Sequence, residues 1–411
     1  MDRETYLGVL AKYLTSARPI QSPEHLKGRD RALSQVVDAL KSPGRHAFIY
    51  GYRGVGKTSL AQTAAYQLQS SYGAPVICAC DFESTFSSVC RDIVRQALKI
   101  DPLERKGQTK FNLGLNVATI GGGNIGHERS NPNNDISISN VSDAVEYLKA
   151  VTKKIGLNLV ILVDEFDQIK DGNEHRKFAG LIKQVSDQSV PAKFIFCGIA
   201  ETIEKLFSEH QSIFRQMHSE RVDQLVLQAR LDIINDAAEA LGTSIEVGHK
   251  YRIAQISDGF PSFVHLISEK IFTACFDNGR AKVSKIDYSQ GLEAAISSVE
   301  LSLKRSYEDA LHKNTKKYEH VIWSVAADKL LEVNVDTVWR HYQSICSMIN
   351  EDATSRPNMN SKLNQLCDIA YGNILTKIRR SNYTFSEKMM RAYARLRAER
   401  MDCSLGVENP N

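Results

Sequence analysis

Between Gly51 and Thr58 the chain reads G-Y-R-G-V-G-K-T, the spacing G-x-x-x-x-G-K-[ST]. Residue types in this order can hold phosphate. Glycines let successive backbone N–H groups turn toward one point and form an anion nest. A helix starting just beyond adds the positive end of its dipole. The spacing predicts that Lys57 bridges the β- and γ-phosphates of ATP and that the Thr58 hydroxyl ligates Mg²⁺. Gly51, Tyr52, Arg53, Gly54, Val55, Gly56 and Ser59 complete the loop around the nucleotide. The alternative, a glycine turn that merely joins a strand to a helix, fits poorly with so many fixed positions.

A second stretch carries the complementary chemistry. V-I-L-V-D-E-F-D, from Val160 to Asp167, is an apolar run that ends in acids. Ligands gather beyond the carboxyl ends of strands in open α/β sheets, which is where Asp164 falls. Asp164 is expected to hold Mg²⁺ through water, and Glu165 to polarise the attacking water. One acid for metal and one for base is what hydrolysis requires, beyond binding. Asp167 reads as a solvated helix-start residue.

Elements must position these groups. H-A-F-I-Y before the loop reads as a buried strand, as do A-P-V-I-C-A-C-D-F, L-N-L-V-I-L-V-D and P-A-K-F-I-F-C-G-I-A. Leu33, Val36, Val37 and Leu40 recur at helical spacing, and Phe86–Ile100 and Ser142–Gly156 carry further helical patterns, with Ser142 as the cap. Strands alternating with helices predict a parallel sheet covered on both faces, a three-layer α/β P-loop fold. The stretch 107–140 is rich in Gly, Asn and Ser and reads as an insertion. It is either a pore or partner-contact loop or a hairpin that pads the subunit.

The bulk numbers agree with a globular chain. It has 411 residues, 42% hydrophobic and 24% charged, and a net charge of +4 that does not by itself imply nucleic acid. No apolar run approaches the roughly 20 residues that cross a bilayer, and the N-terminus lacks a signal-peptide layout, so a cytoplasmic protein without a membrane partner is expected. The eight cysteines show no paired zinc spacing and read as buried free thiols.

The two nucleotide motifs, with F-I-F-C-G-I-A following, resemble the AAA+ ATPases. The likeness is to the branch of origin-recognition and initiator ATPases and the transposition regulators TniB and TnsC. The segment P-E-H-L-K-G-R-D-R resembles that branch's stretch that packs on the adenine, with Leu26, Gly28 and Arg29 at the matching positions. In the family an arginine before the next strand reaches a neighbouring subunit's nucleotide. Arg221 matches it best, with Arg215 the runner-up, and a surface ion pair is the plain alternative for both. The resemblance implies a homo-oligomer with ATP between subunits. It covers roughly residues 20–300 and implies a core over 21–228 after an N-terminal helix over 1–20, a helical lid over 229–305, and a winged helix over 306–400, with a disordered tail over 401–411.

Two departures narrow the expectation. The family's sensor position falls near Ala200 and Glu201, and the usual lid arginine is absent. In its place stands S-D-G-F-P-S-F-V-H-L-I, Ser257–Ile267, which resembles the lid of STAND signalling ATPases. There a proline lies near the nucleotide. Pro261 fits that role, and equally fits a first-turn proline with no functional reason. Without the arginine, slow hydrolysis and switch-like use of ATP are expected.

The C-terminal stretch between Thr376 and Arg400 holds Lys377, Arg379, Arg380, Lys388, Arg391, Arg395, Arg397 and Arg400 against Glu387 and Glu399. A basic wing with Lys377, Arg379 and Arg380, beside a recognition helix over Met359–Ala370 with Lys362, would suit phosphate contacts with little base readout. A protein-docking module with a solvated basic face is the alternative. Three functions follow: an ATP-dependent oligomeric switch on DNA, a STAND-like ATPase controlling a separate effector or defence protein, and a housekeeping P-loop enzyme.

Overall fold

The computed structural model describes residues 2–16, 18–69, 74–100, 136–156, 158–199, 211–311 and 315–406. Most of the insertion expected over 107–140 and the Ala200–Glu201 position lie outside the described residues. Contacts divide the chain into two compact units. One comprises 32–50 and 61–221; the other comprises 1–31, 51–60 and 222–411.

The first unit is the sheet. Strands β1 (His46–Tyr50), β2 (Val76–Ala79), β3 (Leu159–Asp164), β4 (Ala192–Gly198) and β5 (Met217–Arg221) pair in the order β2-β3-β4-β1-β5. Every pairing is parallel. All six residues of β3 are buried, as a strand covered on both faces must be. The core is aromatic: the Phe166 ring meets Phe178 at 5.0 Å and Phe196 at 4.9 Å between centroids. Helices α4 (Phe86–Leu98), α5 (Val141–Ile155) and α6 (Gly172–Asp187) carry apolar stripes onto the sheet, after α1 (Arg3–Tyr13), α2 (Asp30–Lys41) and α3 (Lys57–Leu68) earlier in the chain. Asn140, rather than the expected Ser142, caps α5: its side chain accepts from the Asp143 amide while Asp143 reaches back, forming a capping box.

The second unit is helical around one small sheet. Its first helices after the sheet are α7 (Leu227–Ala240), α8 (Val247–Ile256), α9 (Pro261–Asp277) and α10 (Lys285–Ser298). Then follow α11 (Leu301–Leu311), α12 (Thr315–Ala326), β6 (Val333–Asn334), α13 (Val335–Met348), α14 (Arg356–Gln365), β7 (Leu375–Arg379), β8 (Asn382–Phe385) and α15 (Met390–Arg400). The last three strands make an antiparallel sheet in the order β6-β8-β7. The helix expected over Met359–Ala370 begins earlier, because Pro357 sits in its first turn, and ends at Gln365. The tail expected to be disordered after Met401 folds back through residue 406, with Cys403 and Leu405 buried.

Candidate nucleotide site

The phosphate loop occupies residues 51–56 between β1 and α3, and α3 opens at Lys57. Within the second unit, other segments bracket this loop. The Arg29 guanidinium donates to the Val55 carbonyl at 3.0 Å and also to the Asp223 carbonyl. The Ile20 amide donates to the Ser59 hydroxyl at 3.1 Å. Leu26 is buried, and Gly28 packs where a Cβ would stand 2.5 Å from the Ala229 Cβ. Of the three positions matched in the segment before the loop, Arg29 touches the loop itself, while Leu26 and Gly28 are packed nearby in the segment.

The loop's own geometry follows from its glycines. Gly54 takes φ +76°, and a Cβ there would lie 2.4 Å from the Met389 sulfur. Only glycine meets both conditions. Met389, just before α15, therefore seats against the loop, a neighbour that nothing in the sequence signalled. Lys388 places its ammonium 6.0 Å from the Tyr52 ring centroid. Arg53 pairs with Glu300 at 3.2 Å. Pro261 is the first residue of α9, and its Cγ stands 3.7 Å from where a Cβ on Gly56 would be. This proline therefore both starts a helix and lies at the loop. Lys57 donates to the carbonyls of Gly51 and Tyr52, each at 3.0 Å. Thr58 is half-buried beside it.

In the first unit, Asp164 closes β3 and is 8% exposed, with its Oδ1 accepting the Glu165 amide at 2.9 Å. Glu165 has φ +52° and an exposed side chain. A non-glycine residue in the left-handed region costs about 1 kcal/mol, and such strain gathers at functional positions. Asp167 is half-buried in the first turn of a short 3₁₀ helix. Arg221 ends β5 and Arg215 ends the 3₁₀ turn before it, and both are exposed. Cys78 and Cys80 on β2 are buried, and burial pushes both thiols up to about 12, so they stay protonated. The Thr58 hydroxyl in one unit and the Asp164 carboxylate in the other are each hard oxygen donors, the type that suits Mg²⁺.

The C-terminal basic residues divide sharply. Lys377, Arg379 and Arg380 are exposed on the hairpin, with Lys377 reaching the Asn364 side chain at 3.2 Å. Lys362 is half-buried, its ammonium 5.8 Å from the Tyr318 ring. Three arginines of α15, Arg391, Arg395 and Arg397, turn away from a basic surface, while Arg400 is exposed. Arg391 and Arg395 are 4% and 3% exposed and both bind Asp258; Arg397 pairs with Glu319 at 3.2 Å. The spacing of four between Arg391 and Arg395, with Ala392, Tyr393 and Ala394 between them, was the available hint of an inward face.

A parallel five-stranded sheet, a glycine loop opening a helix, and an acid pair at the end of β3 define an AAA+ P-loop ATPase fold. Residues 25–195 match the family described as the AAA ATPase domain. Among solved structures, the chain is similar to the Walker-type ATPase PABY2304 of Pyrococcus abyssi, at 13% identity and TM-score 0.53, over 92% of this chain and 99% of that one. It is also similar to the ORC2 protein of Aeropyrum pernix, solved in ADPNP–ADP complexes, at 12% identity and TM-score 0.52, over 95% and 98%. These are likenesses of fold. No curated protein sequence matches the chain. Among the described residues, no helix is long and apolar enough to cross a membrane.

Proposed function

We propose that the chain binds Mg·ATP on Gly51–Thr58, hydrolyses it slowly, and uses it as a switch that assembles with copies of itself and acts on DNA or a DNA-bound complex. The observation that best supports nucleotide binding is Lys57. Its ammonium rests on two neutral carbonyls of its own loop, Gly51 and Tyr52. Charged phosphate oxygens are stronger partners for an ammonium than these. Thr58 and Asp164 hold Mg²⁺, which neutralises phosphate charge when bound, and Glu165 orients the attacking water. Arg221, or Arg215 in its stead, serves a neighbouring copy. The basic hairpin of β7 and β8, in a helix–strand–helix–helix–hairpin order, is read as the wing of a winged helix that meets phosphates.

The test is calorimetry with turnover assays. Lys57→Ala loses ATP binding, and Glu165→Gln binds ATP yet traps it unhydrolysed. Unstimulated turnover stays below about 1 s⁻¹. If Glu165→Gln hydrolyses ATP like the parent chain, the base assignment fails.

One observation favours a second reading. Asp258, three residues before Pro261, is committed to Arg391 and Arg395 of α15. A C-terminal segment tied to the lid turn suits a STAND-like ATPase that controls a separate effector protein, for example in antiphage defence, without touching DNA. Anisotropy titrations with duplex DNA at two salt concentrations separate the readings: salt-sensitive binding supports the first, and none supports the second.

A further inference from the structure

Helix α9 carries a polar residue that its surroundings do not satisfy. His265 is 4% exposed, and neither ring nitrogen has a hydrogen-bond partner. The Ser262 hydroxyl, one turn earlier, is likewise unpartnered. A buried donor or acceptor left unmade costs about 1–3 kcal/mol, so such groups call for a reason.

Their location supplies one. Positions 261, 265, 269, 272 and 276 lie on one face of α9. Along it, Phe276 stacks on Tyr6 at 3.9 Å, the Phe272 carbonyl takes the Tyr6 hydroxyl at 2.8 Å, and Glu269 takes the Ser16 hydroxyl at 3.1 Å. Next along the face is His265, whose electrostatic neighbour is His25, and last is Pro261 at Gly56. The segment facing α9 is itself fixed to the phosphate loop at both ends, by Ile20 on Ser59 and by Arg29 on Val55. Three contacts therefore ring one region, 20 to 59, 29 to 55 and 261 to 56, and His25 is the electrostatic neighbour of His265 beside them. The unsatisfied imidazole stands beside that ring, about one helical turn from the loop that holds phosphate.

We infer that His265 is the base-recognition residue of the nucleotide site: a ring nitrogen accepts a hydrogen bond from the exocyclic 6-amino group of adenine. This rests on the reading that Gly51–Thr58 binds ATP. The chemistry suits the imidazole, since its neutral form keeps an acceptor nitrogen. Burial, with His25 nearby, pushes its pKa down to about 4, so the ring is neutral at pH 7. His265 positions the base and takes no part in hydrolysis.

Calorimetry on the full chain with three ligands tests this: Mg·ATP, Mg·tripolyphosphate and the triphosphate of purine riboside, which lacks the 6-amino group. The parent chain binds ATP about tenfold or more tightly than the purine riboside triphosphate. His265→Leu loses that preference and leaves tripolyphosphate affinity unchanged; His265→Gln, which keeps an acceptor, retains part of it. Equal binding of ATP and purine riboside triphosphate by the parent chain overturns the assignment, and this arm needs no folded variant. A His265→Leu chain that keeps the full preference overturns it as well. If the parent chain binds none of the three, the nucleotide reading itself has failed, and the inference with it.

Discussion

Arg391 grips Asp258 with two parallel hydrogen bonds inside the protein: Nε to Oδ2 and Nη2 to Oδ1, both at 2.6 Å. Arg395 adds a contact at 3.0 Å, and the Gln224 amide donates to the Asp258 carbonyl and carboxylate. Spare guanidinium donors reach the carbonyls of Gln255, Ala326, Asp328 and Leu330. Removing one partner of a buried pair strands the other's charge and costs about 3–5 kcal/mol. Asp258→Asn is therefore expected to lower unfolding stability by that order in urea melts. Arg391→Lys does not restore it, because an ammonium cannot make the two-pronged contact. A melt unchanged by Asp258→Asn would mean the cluster is a bystander.

The same burial changes what the C-terminal charge can do. Arg391, Arg395 and Arg397 are internally engaged, which leaves Lys377, Arg379 and Arg380 as the exposed basic set of the hairpin. Converting these three to Glu is expected to weaken binding to duplex DNA of any sequence and to reduce the log–log salt slope by about 3. Arg397→Gln is the contrast: it reduces stability through lost pairing with Glu319 and leaves the slope alone. DNA binding that survives the triple substitution would move the interface elsewhere.

Stability should fall as the solution becomes acidic. His46 opens β1, accepts the Phe194 amide on Nδ1 at 3.0 Å and meets the Ser186 hydroxyl through Nε2 at 3.1 Å. Burial foremost, then Lys193, pushes its pKa from 6.5 down to about 3. The unfolded chain therefore binds a proton that the folded chain refuses between pH 6.5 and 3, and stability is lost as pH drops through that window. At pH 5 the loss from this one residue is about 2 kcal/mol relative to pH 7. His265, lowered to about 4, pulls the same way. Denaturant melts at the two pH values measure the loss, and His46→Asn should flatten the dependence.

Two glycines within helices should respond oppositely to alanine. At Gly291 in α10 a Cβ would lie 2.5 Å from the Ile271 Cα and 2.7 Å from its nitrogen. Backbone cannot yield as a side chain does, so Gly291→Ala is expected to cost about 1–3 kcal/mol or more. At Gly8 in α1 nothing lies within 4 Å of the added carbon. Gly8→Ala should stabilise by about 0.5–1 kcal/mol through helix propensity. Differential scanning fluorimetry resolves the signs.

The parts legible in the sequence were those whose chemistry is local. The glycine loop, Lys57, Thr58 and the Asp164–Glu165 pair each lie within eight consecutive residues, and the strand-to-helix context surrounds them. The hairpin over Leu375–Phe385 was readable for the same reason. What escaped depends on partners far along the chain. Arg391 looks like surface charge until Asp258, 133 positions away, is placed beside it. Met389 at Gly54 and Glu300 on Arg53 are likewise long-range. Asp258 stood inside the quoted lid turn, but a lone acid there reads as a turn former. Asn140 was passed over as the α5 cap for Ser142 because both types cap helices, and only the Asp143 partner three positions on decides between them.

The single face of α9 acts as a strut with fixed attachment points. Tyr6, Ser16 and Gly56 all engage residues within one narrow angular band of that helix. Rolling the helix about its axis by one residue would turn it by about 100° and break every attachment at once. Tilting it about its first turn breaks few. The bend just before that turn, Asp258 at φ +53° followed by Gly259 at φ +77°, is itself clamped by Arg391 and Arg395. Helix α9 is therefore held against rotation about its own axis, with the N-terminal segment fixed along one side of it.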